Sequence, residues 1–93
     1  MSITTDSIVV QSREPLAAAV DNEVVLLSVA RGQYYGFSEL GSEVWKRLAG
    51  PTHIGQLCVV LGEEFDADAE TIKRDVLTFL YRLAEYQLIE VMR

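Results

Sequence analysis

The chain has 93 residues, which is enough for one small domain with a modest core, and 49% of them are hydrophobic. Its 14 acidic and 8 basic residues give a net charge of -6, which opposes nonspecific attachment to nucleic acid or to an anionic membrane. No apolar run approaches the ~20 residues of a membrane-spanning helix, and the N-terminus lacks the features of a signal peptide, so we predict a cytoplasmic protein.

The first half of the chain predicts a three-stranded meander. Residues 1–7 are polar and are expected to be loosely ordered, whereas Ile8-Val9-Val10 is a short apolar run compatible with a strand. The turn signals Asp21-Asn22 and Gly32 then separate three segments, at 16–20, 24–29 and 33–37, of which the second is rich in β-branched residues. By composition alone 16–20 could be helix or strand, and we predict a strand because a turn and a clear strand follow it. The last segment is short and aromatic, and it ends at Ser38, a good helix N-cap.

From Ser38 onward the apolar residues follow a helical period. Three helices are predicted: one from Ser38 to Gly50-Pro51, one starting at Thr52, and a longer one at about 69–86 with Asp68 as its N-cap. Residues 87–91 close the chain as an extended tail or short strand. This order, a three-stranded antiparallel sheet followed by three helices, predicts an α+β fold. The short turn between the last two helices, together with the neighbouring hairpin, indicates a winged helix-turn-helix. We expect a single domain over residues 1–93, with an ordered core at about 16–90.

The sequence offers little catalytic chemistry. It has no glycine-rich phosphate loop, no zinc-protease motif and no nucleophile elbow. Cys58 stands alone in an apolar helical pattern and is expected to pack as a small hydrophobic residue. His53 has no second His or Cys at ligand spacing and is expected in the first turn of a helix, at the surface. We therefore predict no enzyme activity, no catalytic residue, no metal site and no cofactor.

A small DNA-binding transcription regulator is the alternative function that the predicted fold keeps open. A recognition helix needs basic and amide side chains on its exposed face. The last helix has Lys73, Arg74 and Arg82, but acidic residues are interspersed among them, and the whole chain is negatively charged. We therefore predict no nucleic-acid partner and no membrane partner.

The strand at 33–37 favours a peptide-binding function. It is the last strand of the meander, so one of its edges can be unpaired, and it lacks the charged residues and prolines that usually protect such edges. Gly36 has no side chain to hinder a second backbone. A partner strand can add to an edge of this kind, with affinity from main-chain hydrogen bonds. A purely structural role for Tyr35 and Phe37 in the core remains the alternative.

Four motifs, in this order and spacing, resemble the PqqD-like proteins. The motifs are Asp21-x-Glu23-Val24-Val25-Leu26-Leu27, Arg31-Gly32-x-Tyr34-Tyr35-Gly36-Phe37-Ser38, Gly41-x-x-Val44-Trp45 and Asp75-Val76-x-x-Phe79-Leu80-x-x-Leu83. The resemblance covers about residues 16–90. It departs from the family at Phe37-Ser38, where Leu-Asn is common, and at Gln87, where Gly is common.

The resemblance implies a recognition element for ribosomally synthesised and post-translationally modified peptides, abbreviated RiPPs. Such a domain is a noncatalytic module that binds the leader segment of a precursor peptide and presents it to a processing enzyme, which in lasso-peptide biosynthesis is a cysteine-type leader peptidase. The leader would add as a strand beside residues 33–37 and lie against the last helix. The peptide-binding residues implied in this way are Gln33, Tyr34, Tyr35, Gly36, Phe37, Lys73, Asp75, Val76, Phe79, Arg82 and Leu83. Which of the helix residues face the leader rather than the core stays open.

Overall fold

A computed structural model describes residues 2–21 and 23–92 of the chain. Met1, Asn22 of the predicted turn, and Arg93 lie outside the described residues. The strands are β1 (Ile8–Gln11), β2 (Leu16–Val20), β3 (Glu23–Ser28), β4 (Gln33–Gly36), β5 (Thr52–His53) and β6 (Ile89–Met92). The helices are α1 (Glu39–Arg47), α2 (Ile54–Glu64) and α3 (Ala69–Glu85). Over the described residues the protein is therefore an α+β fold with three helices and antiparallel sheets.

The predicted meander is present as the sheet β2-β3-β4, which we call the hairpin sheet. Its register pairs Ala18 with Val25 and Leu26 with Tyr35, and Gly32 in the β3–β4 turn has the positive φ of 64° that the sequence suggested. Along β3, Val24, Leu26 and Ser28 are buried while the residues between them are less so. One face of the hairpin sheet therefore covers the core and the other faces outward.

A second sheet, in the order β5-β1-β6, joins the two ends of the chain. The predicted arrangement of one sheet followed by three helices is incomplete, because it leaves out this sheet. Ile3, just before it, is 2% exposed, and its backbone N–H donates to Tyr81 Oη at 2.9 Å. The expected core bounds of 16–90 and the loosely ordered start therefore need correction: burial of Ile3 and Val9 makes the N-terminal segment part of the core.

Side-chain caps fix the starts of the three helices. Ser38 accepts from the Gly41 N–H at 3.2 Å and Asp68 from the Thr71 N–H at 3.2 Å, which confirms both predicted N-caps. The N-cap of α2 is His53, whose Nδ1 accepts from the Gln56 N–H at 3.3 Å. The prediction of Thr52 as the start and of His53 as a first-turn surface residue was wrong, because both residues pair with β1 before the helix begins.

The core lies between the three helices and the inner faces of the two sheets. Its fully buried side chains include Val9, Leu26, Val44, Leu48, Ile54, Leu61, Val76 and Leu80. A buried hydrogen bond of 2.8 Å from the Val24 N–H to Ser42 Oγ ties α1 to the start of β3. Within residues 2–21 and 23–92, no helix is both long and apolar enough to cross a membrane.

Candidate functional site

The outer edge of β4 is open along its length. Within the described residues β4 pairs only with β3, and the Phe37 N–H just beyond it donates to the Val24 carbonyl at 3.0 Å. Because successive residues of an antiparallel strand direct their backbone groups to opposite sides, the N–H and C=O of Tyr34 and Gly36 point away from β3. A Cβ placed on Gly36 would meet no heavy atom within 4 Å, so the space around it is free.

Aromatic contacts hold α3 alongside this edge. The rings of Tyr35 and Tyr86 lie 4.9 Å apart, and the ring of Phe37 meets that of Phe79 edge to face, also at 4.9 Å. Phe37 also contacts Trp45 of α1, with ring centroids 6.0 Å apart. We call the space between β4 and α3, together with its continuation towards α1, the β4–α3 groove.

The β4–α3 groove contains two adjoining cavities. One, of about 270 Å³, lies between α1 and α3 and has Leu40, Val44 and Val76 among its apolar walls. The other, of about 370 Å³, lies between β4 and the end of α3. Its walls include Tyr35, Gly36, Leu83, Tyr86 and Leu88. Ser38, Phe79 and Arg82 line both cavities, so the two adjoin at these residues, and most of the residues in their walls are apolar or aromatic.

Gly41 controls how closely α1 approaches the groove. A Cβ at this position would lie 3.1 Å from Cζ of Phe79 and 3.3 Å from Cβ of Phe37, which is tighter than ordinary van der Waals contact. The absence of a side chain therefore lets the first turn of α1 pack directly against the Phe37–Phe79 pair. The position of the Phe79 ring, shared by the two cavities, depends on this close approach.

Charged side chains lie at the rim of the groove. Asp75 Oδ1 is 3.6 Å from Nε of Arg74, but both side chains are substantially exposed, so this ion pair is weak. Arg82 makes no salt bridge with any residue that the structure describes. An acidic and a basic side chain are thus both accessible to a ligand in the groove.

Most of the residues predicted from the sequence come together here. Those that line the two cavities are Tyr35, Gly36, Phe37, Asp75, Val76, Phe79, Arg82 and Leu83. Tyr35 and Phe37 are half-buried, so they pack against the core and line the groove at once. Gln33 is exposed at the turn end of β4, and the Tyr34 side chain is 75% exposed.

Lys73 is exposed and lies outside this set of groove residues, near Cys58 of α2. Burial raises the pKa of the Cys58 thiol of α2, and the nearby charge of Lys73 lowers it to a lesser extent. Lys73 lines neither cavity of the groove. The raised pKa also keeps Cys58 in its unreactive thiol form, consistent with a packing role.

Several groove residues escaped the sequence reasoning. They are Ser38, Leu40, Gly41, Val44, Thr78, Tyr86 and Leu88. Leu40 and Val44 lie four residues apart, a helical period that predicts core positions and does not by itself mark a groove. The connectivity gave a usable signal, because a helix capped by Ser38 directly after β4 must begin beside the end of that strand.

Residues 23–89 match the family model described as "Coenzyme PQQ synthesis protein D (PqqD)". The chain belongs to the PqqD family. The matched range runs from the start of β3 to the start of β6, so it includes β4, α1 and α3, which form the groove. This membership confirms the resemblance seen in the motifs. A comparison with curated proteins found no match.

Three solved structures are similar to this one. TbiB1 in complex with the TbiA(beta) leader peptide has a TM-score of 0.80 and 32% identity, covering 87% of this chain and 94% of that one. A lasso peptide synthetase B1 complexed with the leader peptide has a TM-score of 0.78 over 88% of this chain and 96% of that one, and its 20% identity supports the fold alone. The PqqD truncation of Methylobacterium extorquens PqqCD, described as a functional, stand-alone RiPP recognition element, has a TM-score of 0.74 and 25% identity, covering 89% and 88%.

Proposed function

We propose that this PqqD-family protein is a RiPP recognition element that binds the leader segment of a precursor peptide by strand addition to β4. The observation that carries the proposal is the open β4 edge, with the backbone groups of Tyr34 and Gly36 directed outward beside an apolar groove. TbiB1, which is 32% identical, has a leader peptide bound in its structure. Membership of the PqqD family supports the same function.

The geometry suggests a division of labour between backbone and side chains. A leader strand beside β4 exchanges main-chain hydrogen bonds with Tyr34 and Gly36 regardless of its sequence. Alternate side chains of an extended strand point to the same face, so those directed towards α3 enter the two cavities. Of the residues predicted from the sequence, we propose backbone contact for Tyr34 and Gly36 and a place at the strand end for Gln33. Val76 and Leu83 are buried beneath the groove and support it from the core. We propose side-chain contact for the more accessible groove residues, which are Tyr35, Phe37, Asp75, Phe79 and Arg82. Lys73 lies outside this contact set.

We also propose that the protein is a single domain and not an enzyme. The residues that line the groove include acidic, basic and phenolic side chains, but among them there is no Cys or His to act as a nucleophile and base. A DNA-binding function gains no support, because the similar structures are leader-bound or recognition-element proteins. We infer that α2, the short turn Phe65–Asp68 and α3 form the helix-turn-helix unit of the predicted winged arrangement, with the β3–β4 hairpin as its wing.

Presentation of a precursor requires a surface for the processing enzyme that the leader leaves free. The outward face of the hairpin sheet can be such a surface, because it lies away from the groove and its side chains are mostly apolar. They are Leu16, Ala18, Val20, Val25, Leu27 and Tyr34. Leu16 is 61% and Val20 is 57% exposed, and contiguous apolar surface of this kind marks interaction sites. We assign this face to the processing enzyme. A cysteine-type leader peptidase remains our prediction for that enzyme, and a cytoplasmic location remains our prediction for this protein.

A titration tests leader binding. The genes next to this one are searched for a short precursor, whose leader is the probe, and a scrambled peptide of the same composition is the control. Calorimetry should show one leader bound per chain, and the amides of Tyr34 and Gly36 should become protected from hydrogen exchange. A leader that binds no better than its scrambled form would contradict the proposal.

A second experiment separates presentation from binding. Leu27→Gln puts a polar side chain in the middle of the outward face, away from the groove. We expect unchanged leader affinity but slower leader removal by a leader peptidase that processes the same precursor. An unchanged rate of removal would contradict the assignment of this face.

A further inference from the structure

The strand β2 forms a second open edge, at the opposite side of the hairpin sheet from β4. Within the described residues it pairs only with β3, and all five of its residues are exposed. Its sequence, Leu-Ala-Ala-Ala-Val, contains no charge and no proline. Exposed strand edges usually carry such protection against pairing with another chain, so the lack of it on β2 is informative.

The pairing pattern shows which backbone groups of β2 are free. Since the Val24 carbonyl faces β4, the alternation along β3 directs the backbone groups of Val25 and Leu27 towards β2. Their partners, Ala18 and Leu16, therefore use their own N–H and C=O groups on β3. The N–H and C=O of Ala17 and Ala19 point outward and have no strand partner among the described residues.

We propose that β2 pairs antiparallel with β2 of a second copy of this chain, about a two-fold axis at Ala18. In this register Ala17 of each copy lies opposite Ala19 of the other, and both have outward backbone groups, so the two pairs can form four main-chain hydrogen bonds. On the outward face of the sheet, Leu16 of one copy comes beside Val20 of the other. These two exposed apolar side chains thereby gain a lateral contact, while the outward face itself stays open.

The charges at the ends of β2 favour this antiparallel arrangement. Arg13 precedes the strand and Asp21 follows it, so antiparallel pairing brings the basic end of one copy to the acidic end of the other. The Glu14 carboxylate next to Arg13 is directed towards β3 of its own chain, where it accepts from Ser28 Oγ at 2.7 Å and from the Val29 N–H at 2.9 Å. On the inward face, the small side chains of Ala17 and Ala19 leave room for β2 of the second copy to approach.

The pairing would create one six-stranded sheet in the order β4-β3-β2-β2-β3-β4. Both β4 edges remain at its outer ends, so each β4–α3 groove stays open, and the inference does not depend on what the groove binds. A pair of five-residue strands buries less area than a stable obligate interface. We therefore expect a weak dimer, with a dissociation constant between about 10 μM and 1 mM.

Charge substitution at the two-fold axis tests the proposal in the intact chain. Ala18→Lys and Ala18→Glu each place like charges opposite one another, and each should be monomeric at every concentration. A one-to-one mixture of the two variants places unlike charges there and should form heterodimers. Val59→Lys, at a position of α2 that is 64% exposed, is the matched control and should associate like wild type. Thermal melting of each variant checks that the fold is retained.

Sedimentation equilibrium gives the readout. Wild type should approach twice its mass of 10.4 kDa as its concentration rises. In hydrogen exchange, the amides of Ala17 and Ala19 should gain protection with concentration, whereas those of Ala18 and Val20 should be protected throughout. Wild type that stays monomeric to about 1 mM would overturn the proposal. Dimers that persist in Ala18→Lys, or concentration-dependent protection at Tyr34 and Gly36 in place of Ala17 and Ala19, would also overturn it.

Discussion

The rings of Phe37 and Phe79 meet edge to face, with centroids 4.9 Å apart and planes at 89°. This contact joins the end of β4 to the middle of α3, and Gly41 of α1 lies against the ring of Phe79 and Cβ of Phe37. The contacts among Phe37, Phe79 and Gly41, where β4, α3 and α1 meet, therefore set the width of the β4–α3 groove.

Gly41→Ala should weaken leader binding. The added methyl group would lie 3.1 Å from Phe79 and must displace its ring into the groove or push α1 outward. We expect a loss of stability of about 1–3 kcal/mol, as for other overpacked sites, and leader affinity reduced about tenfold. Calorimetry and thermal melting measure the two effects.

Gly50→Ala is the matched control for this change, because a Cβ at Gly50 would meet nothing within 4 Å. It should leave leader affinity unchanged. If Gly41→Ala bound the leader as tightly as Gly50→Ala, the position of Phe79 would not set the shape of the binding site.

Trp45 should be essential for stability rather than for a direct leader contact. It is 4% exposed and packs against Phe37 from the core side. Trp45→Ala should reduce the free energy of unfolding by roughly 3–5 kcal/mol, a large part of the stability of a small domain. Urea unfolding measures the loss. A near wild-type unfolding curve combined with abolished leader binding would instead make Trp45 a contact residue.

The rim charges Asp75 and Arg82 should contribute to affinity but not to stability. Both side chains are exposed, so Asp75→Asn and Arg82→Gln should leave the melting curve almost unchanged. At least one of them should weaken leader binding about tenfold, or about 1.4 kcal/mol, with the larger loss at low salt because salt screens exposed charges. Lys73→Gln is the control on the same helix, outside the groove. Wild-type affinity in both rim variants across a salt series would reject the assignment.

Gln87→Gly should stabilise the protein. Gln87 follows the end of α3 with φ of 59°, a left-handed conformation that costs a non-glycine residue about 1 kcal/mol. We expect a gain of about 0.5–1 kcal/mol in the free energy of unfolding, because glycine also loses more chain entropy on folding. Glu85→Gly, inside the last turn of the helix, should destabilise by about 1 kcal/mol. A loss of stability in Gln87→Gly would contradict this account of the helix end.

Local sequence signals were sufficient for the hairpin sheet and the three helices. Alternation, turn residues and capping side chains act within a few positions, and Ser38, Asp68 and Gly32 all have their expected roles. The sheet β5-β1-β6 depends on pairing between the two ends of the chain, which no local pattern specifies. The burial of Ile3 against α3 escaped for the same reason.

The sequence predicted those residues of the candidate site that belong to a family motif. It did not predict the residues that only the packing of helices and strands brings to the groove. Asp75, Val76 and Phe79 came from the family resemblance and line the groove. Lys73 came from the same helix but lines neither cavity. Which side of a helix borders a groove depends on the elements that pack around the helix, and the sequence of the helix alone does not show this. The helical period of Leu40 and Val44 predicts core positions, yet these residues border both the core and the groove.

The central claim is strand addition at β4, and Gly36→Pro tests it most directly. The N–H of Gly36 points outward, so proline removes a donor from the open edge without removing a β3–β4 hydrogen bond. Gly36→Ala is the matched control, since it keeps the N–H and its Cβ meets nothing within 4 Å. In calorimetric titrations with the leader, Gly36→Ala should bind like wild type, and a folded Gly36→Pro should lose leader affinity. Wild-type affinity in a folded Gly36→Pro protein would contradict strand addition.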